Sequence, residues 1–204
     1  MTMRLEDATR PELLTVLRSL LQERDELQHR LDLLAEAHAE VARELAGIER
    51  EHAIVSQVHV ATRLLHRTLD RRQVVTAILE VCINLVGSEQ VALFERDDDP
   101  QRLNLIASFG VDETAYATVS IEHGAIGDAA RGGIIQLATP EEADAADGKP
   151  AVCIPLRVGD AVAGVIVMFR LLPHKAGFEQ VDFALFDVLS EHAGVALAAS
   201  AGAR

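Results

Sequence analysis

The chain has 204 residues, 32 acidic against 19 basic side chains, and a formal net charge of -13, enough for one medium domain or a small domain with an extension. No window gathers the arginines into a stripe that could follow a phosphate backbone, which argues against nucleic acid as a direct partner. No run of about 18 apolar residues suggests a membrane span, and the opening "MTMRLEDATRPELL" lacks the apolar centre of a signal peptide, so the expectation is a cytoplasmic protein with no membrane partner.

Seventeen arginines stand beside only two lysines and abundant alanine, a usage that suits a GC-rich bacterial genome. The two cysteines, Cys82 and Cys153, are too few for a disulfide framework. Each sits in an apolar run ("VCI" and "VCIPL") where a small hydrophobe serves the core.

Leu13, Leu17, Leu20, Leu27, Leu31, Leu34, Val41, Leu45, Ile48 and Val55 recur at spacings that follow a heptad seam. With Leu13 taken as d, every d position through Val55 is aliphatic, which predicts a long helix that zips into a parallel homodimer. Pro11 suits the first turn of this helix and Thr9 or Asp7 its cap. At the a positions Leu17, Leu31 and Leu45 alternate with Arg24, His38 and His52, and His59 follows one heptad later. Polar a residues fix register and partner at a cost in stability, and facing imidazoles could add a response to pH.

After Val55 the seam drifts, and a coiled-coil segment at 10–64 gives way to a second domain at 65–201. Asp70 is placed to cap a helix whose apolar set is Val74, Val75, Ile78, Val81, Cys82 and Leu85. Beyond Gly87 the pattern changes to short runs bounded by turn residues. "QVALFERD" and "RLNLIASFG" read as two strands joined by a tight turn. "TVSI" and "IIQLAT" read as further strands around the segment "HGAIGDAARGG", and "AVCIPLRVGDAVAGVIVMFR" as a hairpin turning at Gly159 and Asp160. "GFEQVDFALFDVLSEHAGVALAAS" has the spacing of a closing helix.

The glycine segment has half of a phosphate loop: Gly127 and Gly132 are correctly separated, but Gly133 and Ile134 stand where lysine and a hydroxyl residue are required. Its glycines are therefore expected to serve tight turns and close packing.

The order of these elements, and four stretches within them, resemble a GAF domain across about residues 65 to 200. "LLHRTLDRRQVVTAILEVCINLVGSEQVALFERD" is similar to the family's first helix and strand. Gly124, Gly127 and Gly133 resemble its glycine-spaced segment, and Pro155, Leu156, Gly159 and Gly164 its hairpin. "FEQVDFALFDVLSEHAGVALAAS" is similar to its last helix. The resemblance implies an α+β fold: a central antiparallel sheet with the first and last helices on one face and a ligand pocket on the other. If the family geometry holds, that pocket draws on Phe94, Phe109, Tyr116, His123, Gly124, Ile126, Gly127, Ile135 and Cys153; the alternative is that this set simply fills the core.

No cofactor or metal is expected. The signature of cyclic-nucleotide-binding members is not found, both cysteines are followed by isoleucine rather than by the histidine common at bilin sites, and His123 stands alone as a haem candidate. Free methionine sulfoxide reductase, a GAF-fold enzyme, needs one thiol to attack and another to resolve; Cys82 falls on a helix and Cys153 on an apolar strand. The short lid "PEEADAADGKP" carries four carboxylates and no aromatic residue, which points to a reduced pocket or to a cationic or small polar ligand. The expectation is a non-enzymatic dimeric regulatory protein that acts through a protein partner, with a ligand-gated sensor as the alternative and the reductase as a remote one.

Overall fold

A computed structural model describes residues 10–96, 99–138, 148–175 and 177–201. The expected caps Thr9 and Asp7 and the acidic stretch from Glu141 to Asp147 lie outside these residues. Contacts divide the chain into two units, the first ending at His52 and the second beginning at Ala53.

Helix α1 runs from Arg10 to Leu65. In the first unit it is a single helix, and along its length the ten seam residues from Leu13 to Val55 remain 39% to 66% exposed. No described segment of the chain covers this stripe, which has the period of a helix-pairing face.

The second unit is built on a six-stranded antiparallel sheet in the order β3-β2-β1-β6-β5-β4. The strands are β1 (Ser88–Arg96), β2 (Arg102–Phe109), β3 (Thr118–Ser120), β4 (Gln136–Leu137), β5 (Val152–Val158) and β6 (Ala161–Leu171). The hairpin of β5 and β6 pairs Val158 with Ala161 across the Gly159–Asp160 turn. Helix α2 (Arg71–Glu80) begins where Asp70 Oδ1 accepts the Gln73 amide at 3.0 Å, and it continues as a π-helical segment, Val81–Val86.

Side chains alternate across the sheet, so each strand feeds two cores. Val91 and Leu93 of β1, Ile154 and Leu156 of β5, and Ile166 and Met168 of β6 point to one face. There they meet α2, the buried Ala61 and Leu65 of α1, and the closing helix. Ala92, Phe94, Cys153, Val165 and Val167 point to the other face.

The closing helix consists of α4 (Gln180–Val188), a π-helical segment (Leu189–Ala193) and α5 (Gly194–Ala201). By length and composition Gln180–Ser200 could cross a bilayer. Its Leu185, Phe186, Leu189, Ala193 and Leu197 are instead buried against the sheet, the ordinary use of an apolar helix within a domain.

The glycine segment differs from the sequence expectation. It forms a helix, α3 (Gly124–Gly132), ended by Gly133 in the left-handed conformation at φ 62°. Ile126, Ala129 and Ala130 give it an apolar stripe at helical spacing, and that stripe lies on the second face of the sheet.

Candidate functional site

The face of the sheet beneath α3 is where a small ligand would be sought. Ile121, Ile126, Ala129 and Ala130 cover Phe94, Leu103, Cys153, Val165 and Val167 there, and all nine are buried. The helix is tied down at several points. Arg131 donates to the Ile121 carbonyl and pairs with Asp128, and Arg96 Nη2 donates to the Ala130 carbonyl at 3.3 Å. These bonds hold the apolar stripe against the sheet.

Among the pocket candidates, Phe94, Ile126 and Cys153 are buried in this cluster, and Tyr116 packs at its margin with its ring 4.9 Å from that of Phe169. Gly124 and Gly127 lie on α3. His123 precedes α3 in the N-cap position, exposed and making no cap bond. Two candidates are elsewhere. Phe109, the last residue of β2, is 49% exposed, and Ile135 packs against the opposite, helix-covered core. The reason is positional: the register shift after Leu93 pairs Phe109 with Val91 and so puts it on the helix-covered side of the sheet, and the turn after Gly133 sends Ile135 to the same layer.

Two open grooves border the covered face. One, of about 470 Å³, lies beside the start of α3 between Gly124, Asp128, Gln136 and Lys149. The other, of about 280 Å³, is bounded by Gln90, Asp112, Tyr116, Gly148, Phe169 and Arg170. In the second, Tyr116 donates to the Gly148 carbonyl at 3.0 Å. The Thr114 hydroxyl and amide hold the Asp112 carboxyl below the usual carboxylate range. This groove offers polar groups of both signs at the edge of the sheet.

The thiols belong to different cores. Cys82 lies in the helix-covered core and Cys153 in the core under α3, so the sheet separates them. Burial pushes the Cys82 thiol far up, and burial with the nearby Asp128 charge pushes Cys153 up to about 12. Neither is placed to attack a substrate or to resolve the other. Among the described residues no group of three or more His, Cys, Asp or Glu side chains could hold a metal ion.

Sequence reasoning did not find the arginine ties of α3, although Asp128 and Arg131 stand three apart as helical neighbours do. It also missed a contact between His66 and His192, whose ring nitrogens lie 2.9 Å apart across 126 positions of chain. The signal for half of it was present, since His66 follows His59 by one heptad.

The sequence model of the GAF domain family matches residues 68–198, nearly the whole of the second unit. The chain belongs to the GAF domain family. Solved structures agree in fold. The GAF domain of an Acinetobacter phosphoenolpyruvate-protein phosphotransferase is 13% identical with a TM-score of 0.56, over 74% of this chain and 94% of that one. The second GAF domain of DevS from Mycobacterium smegmatis is 21% identical with a TM-score of 0.53, over 65% and 96%. Free methionine-R-sulfoxide reductase from Neisseria meningitidis is 17% identical with a TM-score of 0.57, over 74% and 92%. No curated protein matches the chain in sequence. At these identities the likeness establishes the GAF fold and nothing about chemistry.

Proposed function

We propose that this GAF-domain protein is a non-enzymatic, cytoplasmic regulatory protein that works as a homodimer, zipped in parallel through α1, and acts through a protein partner. The observation that carries the reading is the apolar stripe of α1, ten residues left in solvent at heptad spacing, which a second copy of the same helix would bury. The polar a positions Arg24, His38, His52 and His59 would then fix the register of the pair. Membership of the GAF family, and a fold shared with a solved fragment of a methyl-accepting chemotaxis protein, support a regulatory role. The positions of Cys82 and Cys153 weigh against the reductase alternative.

The test is a pull-down from the native host with the full chain as bait, set beside a Leu27→Glu/Leu34→Glu variant. A partner retained by the wild type and lost by the variant supports the reading. Retention by neither, together with measured turnover of a substrate, sinks it.

A sensor remains the second reading, and the groove between Gln90, Asp112, Tyr116 and Arg170 favours it. Thermal-shift screening with cyclic nucleotides, amino acids and small ions would raise the melting temperature if a ligand occupies that groove.

A further inference from the structure

We infer that His66 and His192 form a proton-sensitive clasp that joins the last turn of α1 to the closing helix of the GAF domain. His66 Nε2 and His192 Nδ1 are 2.9 Å apart, and the rings meet edge to face with centroids at 5.1 Å. His66 still belongs to the helical turn, because its amide donates to the Thr62 carbonyl at 3.1 Å. His192 sits in the π-helical segment Leu189–Ala193, where the closing helix widens. The clasp is a side-chain bond between the helix that enters the domain and the helix that ends it.

Its dependence on protons follows from the chemistry of imidazole. A neutral ring has one N–H and one bare nitrogen, so two neutral rings, or one neutral and one charged, can share a single N–H···N bond. When both rings are protonated, all four nitrogens are donors and no acceptor is left. Two positive charges then face each other where the bond was. Imidazole is the side chain that makes this change between pH 5 and 8.

The surroundings add few anions to offset a second charge. On α1, His59 and Arg63, and just after it Arg67, border the same groove as His66. Beside His192, Glu191 is the one carboxylate of the π segment, and Arg157 of β5 already pairs with it at 3.1 Å. Helix α2, which also packs on that segment, carries Arg71 bonded to Glu95, with Arg72 and Glu80. In α4, Asp182 is held by Lys175 and Asp187 completes the acidic set, while α5 has no titratable side chain. Once both rings carry a proton no acceptor is left to hold the pair together, and the clasp opens as the pH falls.

The experiment uses the full chain. Imidazole nitrogen NMR at pH 8 should show His66 and His192 sharing one N–H···N bond, and that bond should be gone at pH 5. Hydrogen exchange, corrected for the intrinsic rate, should show protection at residues 61–66 falling roughly three- to tenfold over the same interval, as expected for loss of one modest hydrogen bond. In His192→Gln and in His66→Gln this pH response should vanish, while His59→Gln, which changes the same groove but not the pair, should keep it. The inference is overturned if the wild type shows no shared bond at pH 8. It is equally overturned if residues 61–66 respond to pH in His192→Gln as they do in the wild type.

Discussion

Gly127 lies so close to Ile121 that a methyl group at its Cα would overlap the Ile121 carbonyl oxygen. The same carbonyl accepts the Arg131 guanidinium, so the contact joins two ends of one small structure: the turn that enters α3 and the last residues of the helix. Close approach of backbone to backbone is what glycine permits and alanine does not.

This relationship separates glycines that look equivalent in sequence. Gly127→Ala must push α3 from Ile121 or from the sheet, and it should lower stability by about 1–3 kcal/mol. Gly132 is also helical, but nothing lies within 4 Å of a methyl there, so Gly132→Ala should raise stability by up to about 1 kcal/mol. Urea melts of the two variants beside the wild type give the comparison. Equal destabilisation by both would mean that the contact with Ile121 does not hold α3 in place.

The split between what was legible and what was not follows sequence distance. The Asp70 cap, the Gly159–Asp160 turn and the closing helix are decided within a few residues, by one capping bond, one turn and one period. Helix α3 was hidden because Gly124, Gly127 and Gly132 within it oppose helix formation by propensity, and only contact of Ile126, Ala129 and Ala130 with the sheet makes it worth forming. The family resemblance put Phe94 and Cys153 in one site, but no local rule shows the register shift between β1 and β2 that turns Phe109 to the helix-covered face, or the turn that changes layer before Ile135. The His66–His192 bond spans most of the GAF domain, and the heptad spacing that marks His66 gives no sign of its partner.

A second prediction concerns the buried carboxylate of α4. Asp182 is fully buried; its Oδ1 lies 2.7 Å from Lys175 Nζ and its Oδ2 accepts the Glu179 amide at 2.7 Å. Lys175 also donates to the Val86 carbonyl at the end of the π-helical segment that follows α2. Lys175→Met removes the cation and strands both acceptors, so it should cost about 3–5 kcal/mol. Adding Asp182→Leu should recover part of that loss, because the pair then leaves together. A double-mutant cycle by urea denaturation checks both statements; an additive cycle would show that the two side chains are not coupled.

The thiols predict behaviour at high pH. Burial raises Cys153 from 9.0 to about 12 and Cys82 in the same direction, so the folded state keeps protons that the unfolded chain gives up. Stability from this source is unchanged below about pH 9 and is lost above it, by about 1.4 kcal/mol per pH unit for each thiol while the folded group stays protonated. Between pH 9 and 11 the decline measured for Cys153→Ala should be shallower than for the wild type by one thiol's share. At pH 8 Ellman's reagent should react with either cysteine only as fast as the domain opens. Fast labelling of the native protein would contradict the burial argument directly.

The last prediction tests the assembly. Leu27 and Leu34 are successive d positions, 54% and 66% exposed in the single chain, and in a paired helix each would bury a leucine against its counterpart. Burial of a leucine side chain is worth about 1.5–3 kcal/mol, and replacement by glutamate adds like charges facing each other across the seam. Leu27→Glu/Leu34→Glu should therefore convert a dimer to a monomer at micromolar concentration, read by light scattering. Helical signal should fall as well, because a helix in a protein owes most of its stability to the packing of its apolar face. The GAF domain should keep its urea midpoint, since its core draws only on Ala61 and Leu65 from the buried residues of α1. If the variant still scatters as a dimer, the contact between copies lies on the GAF helices instead. The exposed Val60, Phe183 and Val195 are then the residues to replace next.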